Sequence, residues 1–283
     1  MSDAKENLGV ESWLSAQAES MVLSWEKSME RFYPQYVADW TDPAAHCRAL
    51  TEQWNTLAAA QCLDWNQYLY GAALRILDLG AGTGWLSIML SKRENVERIY
   101  ALDASPTNLK VMLPALAERM GGNLDRITPV LALFTPILVK DGFFDAVVAS
   151  SSVHHAPDLM ECLREVYRVL RPDGFFIILN EQPYPYVPFV TMAARRILRI
   201  ITRVMLRQWQ PNPKWLSESG LLTDPFLGDR AYASWQWKRA LEMTGYSFQT
   251  VVTPYHAYKL AGDRRNKTRL THFIARKPGH GAR

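Results

Sequence analysis

No stretch of 18 residues in this 283-residue chain is free of charge, which leaves no candidate for a membrane-spanning helix. The first ten residues, MSDAKENLGV, hold neither the basic start nor the apolar run of an export signal, so the cytoplasm is the expected compartment. Cysteine is scarce. Cys47, Cys62 and Cys162 form no CxxC pair, and an odd count leaves one outside any disulfide scheme, as expected of small buried hydrophobes in a reducing compartment. Charge of one sign is also lacking: 32 Lys+Arg against 28 Asp+Glu gives a net +4, and no basic stripe interleaves with aromatics, so nucleic acid is not an expected partner. With 48% hydrophobic and 21% charged residues, disordered, collagenous and coiled-coil classes are excluded.

What is present changes texture along the chain. Up to about Gly71 the sequence reads as helical and rich in Trp and Tyr. Leu14, Met21, Trp25, Met29 and Phe32 recur at helical steps, and a second such run covers Ala49 to Tyr70 after Pro43. From Arg75 to Leu179, short apolar runs alternate with helical patterns, the signature of βαβ units and a parallel sheet. The strands are placed at Arg75 to Leu79, Arg98 to Asp103, Ile127 to Leu133, Phe144 to Ser150 and Phe175 to Leu179. Ser105 and Pro106 open a helix that runs toward Gly121 and Gly122, with a kink expected at Pro114. Asp158 and Glu161 have capping-box spacing, and Leu159, Leu163, Val166, Val169 and Leu170 follow as the inward face. Arg171-Pro172-Asp173-Gly174 should turn the chain into the next strand. From Asn180 to about Arg230 the chain is rich in Pro and aromatics and too long for an ordinary connection, so it reads as an inserted lid. A helix from Tyr232 to Thr244, a strand from Ser247 and a last strand near Leu270 to Arg276 end the sheet.

The most informative motif is Asp78-Leu79-Gly80-Ala81-Gly82-Thr83-Gly84-Trp85. A strand that ends in glycines and opens a helix brings backbone N–H groups to an anionic ligand group at the positive end of the helix dipole. Asp103 ends the next strand, where a carboxylate can accept from both hydroxyls of a ribose. A dinucleotide fingerprint, G-x-G-x-x-G/A, needs a small residue where Trp85 stands. Asp78, just under the loop, suits a cationic amine better than a pyrophosphate. A ribose, a cation and a carboxylate together describe S-adenosylmethionine.

With these motifs in order, the chain resembles the class I S-adenosylmethionine-dependent methyltransferases, strongly from Leu74 to Asn180. Phe144-Asp145 and His154-His155-Ala156-Pro157-Asp158 are similar to the fourth-strand pattern of the family's largest small-molecule branch, and Leu163 to Phe175 to its helix, turn and strand. The resemblance implies an α/β fold: a Rossmann-like, seven-stranded, mostly parallel sheet with helices on both faces, plus a helical N-terminal segment and an inserted lid. The expected division is an N-terminal lid over 1–70, a cofactor-binding core over 71–182, a substrate lid over 183–230 and completing elements over 231–283. It also implies the cofactor site: Gly80, Ala81, Gly82 and Gly84 against the methionine part, Asp78 toward its ammonium, Asp103 on the ribose and Ala104 on the adenine. Ser150 is added at the end of the fourth strand. Relatives often carry an acid after the third strand for the adenine amino group; here Leu133 and Phe134 occupy that place, so stacking and backbone contacts are expected instead.

His154 and His155 lie just past the fourth strand, where either could take a proton from an acceptor or brace the loop before Asp158. Adjacent side chains are not expected to face one ligand, and no metal site is expected from His154, His155 and Asp158, whose spacing fits no recognised motif. Tyr184, Tyr186, Phe189, Trp209 and Trp215 could line an acceptor site or glue the lid to the core. Arg195, Arg196, Arg199, Arg203 and Arg207 punctuate an apolar segment. They read as a solvated face, with an anionic acceptor or an anionic membrane surface as the sharper alternative. The expected function is methyl transfer to an O or N atom of a small organic acceptor in biosynthesis. A methyltransferase for a lipid-like acceptor, and a non-catalytic cofactor-binding sensor or partner protein, are the alternatives. The oligomeric state is left open.

Overall fold

Period-two alternation in the central strands puts aliphatic side chains on both faces of one sheet. The computed structural model describes residues 9–32, 41–183, 221–224, 228–256 and 269–279, with single helical positions at 191, 194 and 198. The strands are β1 (Glu11–Ser12), β2 (Leu74–Leu79), β3 (Val96–Asp103), β4 (Ile127–Leu131), β5 (Phe144–Ser150), β6 (Leu170–Glu181), β7 (Leu221–Asp224), β8 (Asp229–Ala231), β9 (Ser247–His256) and β10 (Arg269–Arg276). Eight of them form one sheet in the order β1-β4-β3-β2-β5-β6-β10-β9, and β7 pairs with β8 alone. All pairings in the large sheet are parallel except those of β10, which runs antiparallel to β6 and β9. The chain moves outward from β2 through β3 to β4, then returns to β5 on the other side. The C-terminal ends of β2 and β5 therefore flank a topological switch point, where ligands bind in such sheets.

The helices are α1 (Ala16–Phe32), α2 (Pro43–Arg48), α3 (Thr56–Gln61), α4 (Trp85–Leu90), α5 (Leu113–Met120), α6 (Leu159–Val169) and α7 (Ser234–Thr244). On one face Leu77, Val147, Phe176 and Ile178 pack with Leu159, Leu163 and Val166 of α6 and with Trp237 and Leu241 of α7. On the other, Ile76, Ile99, Val148 and Ile177 pack with Leu86 and Ile88 of α4, Leu113 and Leu116 of α5, and Leu50 and Ala60 of the N-terminal segment. The expected layers and seven strands are present. The eighth strand, β1, pairs only Glu11 with Val130 and Ser12 with Leu131, too short for alternation to register in sequence.

Several expectations change in detail. The inward face of α1 is Val22 and Met29; Met21 is 68% exposed and Trp25 37% exposed, so the buried stripe is rotated by about one residue from the expected one. Ala49 to Tyr70 is not one helix: Asn55 takes a left-handed φ of 57°, which separates a π turn over Ala49–Gln53 from α3. Before Pro114 the helix widens into a π turn over Asn108–Met112, where Leu113 N–H reaches Asn108 C=O. That extra residue gives room for a ring that cannot donate and would crowd the preceding turn. The third strand stops at Leu131 rather than Leu133. Arg171 to Gly174 is a bulge inside β6, since Leu170 already pairs with Phe144 and regular pairing resumes at Phe175 with Ala146; Asp173 takes φ 61° within it. The lid aromatics Tyr184, Tyr186, Phe189, Trp209 and Trp215 and the arginines Arg195, Arg196, Arg199, Arg203 and Arg207 lie outside the described residues.

The N-terminal segment is tied to the ligand end of the sheet through Glu26 of α1, which accepts from the Ser105 hydroxyl and from Thr107 N–H at 3.1 Å. A carboxylate on the first-turn donors of a helix acts as a cap from another element. Glu26→Ala is expected to lower stability by about 1 kcal/mol. In urea unfolding this appears as a lower midpoint with an unchanged slope; an unchanged midpoint would show that the clasp contributes nothing.

Candidate active site

The loop from Gly80 to Gly84 leaves β2 and enters α4 at the switch point. Gly80 has φ +69°, and a Cβ there would lie 2.7 Å from Ser152 Cβ, so the loop closes tightly on the residue that follows β5. Ser152 fixes that contact by donating its hydroxyl to Leu79 C=O at 2.7 Å. Gly82 has φ +53°, yet a Cβ there would meet nothing within 4 Å among the described residues, so this part of the loop is open on the side they leave free. Gly84 is the left-handed residue before α4, and Ala81 N–H is spent on Leu102 C=O at 2.8 Å.

Asp103 governs the loop. Its Oδ2 accepts from Gly82 N–H at 2.8 Å, and its Oδ1 accepts from Ser105 N–H at 2.8 Å and Asn108 Nδ2 at 3.3 Å. A carboxylate offers about four lone-pair sites, so Oδ2 keeps capacity for a ligand hydroxyl. Burial raises the pKa of Asp103 while these three donors oppose the rise. Asp78 is fully buried on the α4 side, and its Oδ2 accepts from Ser87 N–H at 3.0 Å and Ser87 Oγ at 2.7 Å. Burial pushes its pKa up to about 7, against the pull of Ser87. The open side of the loop at Gly82, remaining acceptor capacity on Asp103 and a second carboxylate beneath the loop fit a ligand with a ribose and an ammonium.

The other expected cofactor residues are brought to the same end of the sheet with differing surroundings. Phe134 reaches the loop, its Cε1 3.2 Å from where a Gly80 Cβ would be, whereas Leu133 is 42% exposed. Ala104 is packed with Val10, Leu14 and Val22 of the N-terminal segment and with Leu109 and Leu131. Ser150 Oγ accepts from Asn180 Nδ2 at 2.9 Å, and the same amide donates to Thr56 C=O at 3.2 Å. His46 of α2 reaches the loop directly, with Nε2 2.8 Å from Thr83 Oγ1, and burial lowers its pKa to about 4, leaving it neutral. His46 and Glu26 were missed in the sequence because nothing local links them to the loop.

Past the end of β5, His154 and His155 occupy a 3-10 turn, Val153–His155. Their rings lean together with centroids 4.3 Å apart, and both reach one carboxylate. His155 Nδ1 lies 3.1 Å and His154 Nε2 3.6 Å from Asp229 Oδ1 at the start of β8. The expectation that neighbouring side chains diverge fits an extended strand and fails in a tight turn. His154 Nδ1 also meets Glu181 Oε2 at 2.8 Å, at the end of β6. Burial alone would lower the His154 pKa, but Glu181 and Asp229 outweigh it and push it up to about 10. Asp158 instead accepts from Glu161 N–H at 3.0 Å as the cap of α6. Glu181 had a weak signal, an acid directly after an apolar strand; Asp229, beyond the lid, had none.

Residues 77–178 match a family model described as a methyltransferase domain. Over that part of its length the chain is similar to class I S-adenosylmethionine-dependent methyltransferases. Similar proteins include the demethylmenaquinone methyltransferase of Thermus thermophilus, 36% identical over 114 residues that cover 40% of this chain and 50% of that one. Another is the ubiquinone/menaquinone biosynthesis C-methyltransferase of Pectobacterium carotovorum, 36% identical over 38% of this chain and 42% of that one. The chain spans about half or less of the length of these curated relatives. Among solved structures, the YcgJ protein of Bacillus subtilis has the same fold, with TM-score 0.52 and 17% identity over 74% of this chain and 94% of that one. Among the described residues, no helix is long and apolar enough to cross a membrane.

The two glycines separate packing from ligand approach. Gly82→Ala should cost about 1–2 kcal/mol for its left-handed backbone alone. Gly80→Ala should add roughly 1–3 kcal/mol of overpacking against Ser152. Chemical denaturation of both variants checks the order, and equal losses would mean that the Gly80 contact relaxes freely.

Proposed function

We propose that this protein transfers the methyl group of S-adenosylmethionine to a small organic acceptor bound in front of His154 and His155. The observation that carries the reading is the Asp103 carboxylate, which holds Gly82 N–H and keeps acceptor capacity beside the open part of the loop. Asp103 would hold the ribose, and Gly80, Ala81, Gly82 and Gly84 would admit the methionine part. Asp78 would face the ammonium through the loop or a water, and Ala104, Leu133 and Phe134 would border the adenine. Ser150, tied to Asn180, supports the strand end beside them.

When bound, the cofactor supplies a methyl group on a sulfonium sulfur, so alignment in a water-poor pocket is the protein's main catalytic task. The chain contributes that alignment through the loop locked by Asp103 and Ser152, and through the N-terminal segment joined to it at His46–Thr83. His154 and His155 present polar groups to an acceptor oxygen. Relatives named for quinone methylation on carbon favour a hydroxylated ring as acceptor, and they add carbon to the oxygen and nitrogen atoms that the sequence suggests.

Incubation with methyl-labelled S-adenosylmethionine and a panel of hydroxylated aromatic compounds should give a labelled product, and Asp103→Ala should weaken cofactor binding by roughly 10- to 100-fold while the fold is retained. Calorimetry and circular dichroism read the second effect. Cofactor binding without label transfer to any compound of a cell extract would favour the non-catalytic binding protein instead.

A further inference from the structure

We propose that His154, His155 and Asp229 form a binding site for a divalent transition-metal ion at the acceptor end of the sheet, with Glu181 as the carboxylate that orients His154. The donor atoms of the three ligands lie within 4.8 Å of one another. Metal–nitrogen and metal–oxygen bonds of about 2.1 Å put neighbouring donors roughly 3.0–3.4 Å apart in octahedral or tetrahedral sites. The Asp229 Oδ1 separation of 3.1 Å from His155 Nδ1 falls within that spacing, and that of 3.6 Å from His154 Nε2 lies just beyond it.

The surroundings supply the second part of the argument. A histidine ligand usually donates its other ring N–H to a carboxylate, which sets the tautomer and the ring's direction. Glu181 Oε2 stands 2.8 Å from His154 Nδ1, which leaves Nε2 as the nitrogen turned to Asp229. Glu181 is 2% exposed, and its Oε1 has no hydrogen-bond partner among the described residues. Two carboxylates therefore converge on the His154 ring, one beside each nitrogen, a concentration of negative charge that a divalent cation would balance.

Two histidines and one carboxylate on one side of an ion leave positions open on the other, as in sites whose metal meets substrate. The three ligands are each a quarter to a third exposed, on the side left to an acceptor. Imidazole and carboxylate donors select zinc, iron(II) or nickel(II) over magnesium. The site rests on its own geometry and stands or falls separately from methyl transfer.

Calorimetry on tag-free protein stripped with chelator tests it, with zinc chloride and nickel chloride as probes and magnesium chloride as the control. The expected result is one equivalent of zinc and of nickel, bound at low-micromolar affinity or tighter, and no magnesium heat at the same concentrations. His155→Ala and Asp229→Ala should each weaken zinc binding at least 10-fold, and Glu181→Gln should weaken it roughly 10- to 100-fold with stoichiometry unchanged. Circular dichroism and melting of the metal-free variants verify folding, and Asp229→Asn replaces Asp229→Ala if the latter does not fold. Absence of a one-to-one site, or wild-type affinity in both His155→Ala and the Asp229 variant, overturns the proposal.

Discussion

The Asp103 carboxylate at the end of β3 holds Gly82 N–H from the loop that leaves β2, and the ligand end of the molecule is arranged around that bond. It links two neighbouring parallel strands beyond the last ladder pairing, Leu79 with Leu102. It also fixes a glycine whose backbone is left-handed. Because the same carboxylate caps the following turn through Ser105 N–H, a shift in the loop would be felt in the helix on which α1 rests. A charge-assisted bond of this kind contributes more than a neutral one, about 1.5–3 kcal/mol, and here its geometric effect is larger than its energy.

Around that centre the N-terminal segment behaves as part of the site. His46 meets Thr83 of the loop, Glu26 meets Ser105 and Thr107 just past Asp103, and Asn180 at the end of β6 joins Ser150 to Thr56, the first residue of α3. Each contact connects residues far apart in sequence at the C-terminal ends of the parallel strands. The strands supply the loop and the acids, and the N-terminal segment supplies side chains that hold them.

The core was legible because its signals are local. Apolar runs of strand length, the glycines after β2 and Asp158 at the start of α6 each depend on near neighbours, and all three are found where the pattern places them. The errors arose where one residue decides between close alternatives. Asn55 breaks a helical run by adopting a left-handed conformation, Pro114 is absorbed by a π turn, and α1 buries Val22 rather than Met21. The cluster around the two histidines was half legible. His154 and His155 announced themselves beside β5, but Glu181 and Asp229 come from the end of β6 and the start of β8, and only the fold brings those carboxylates to the two rings.

The loop's choice of ligand follows from Trp85 in place of a small residue and from Asp78 beneath the glycines. Thermal melting with S-adenosylmethionine and with NAD, each at the same concentration, tests that choice most directly. A ligand that binds the folded state alone raises the melting temperature in proportion to its binding free energy. The melting temperature should rise with S-adenosylmethionine and not with NAD; stabilisation by NAD alone would mean that the loop takes a dinucleotide instead.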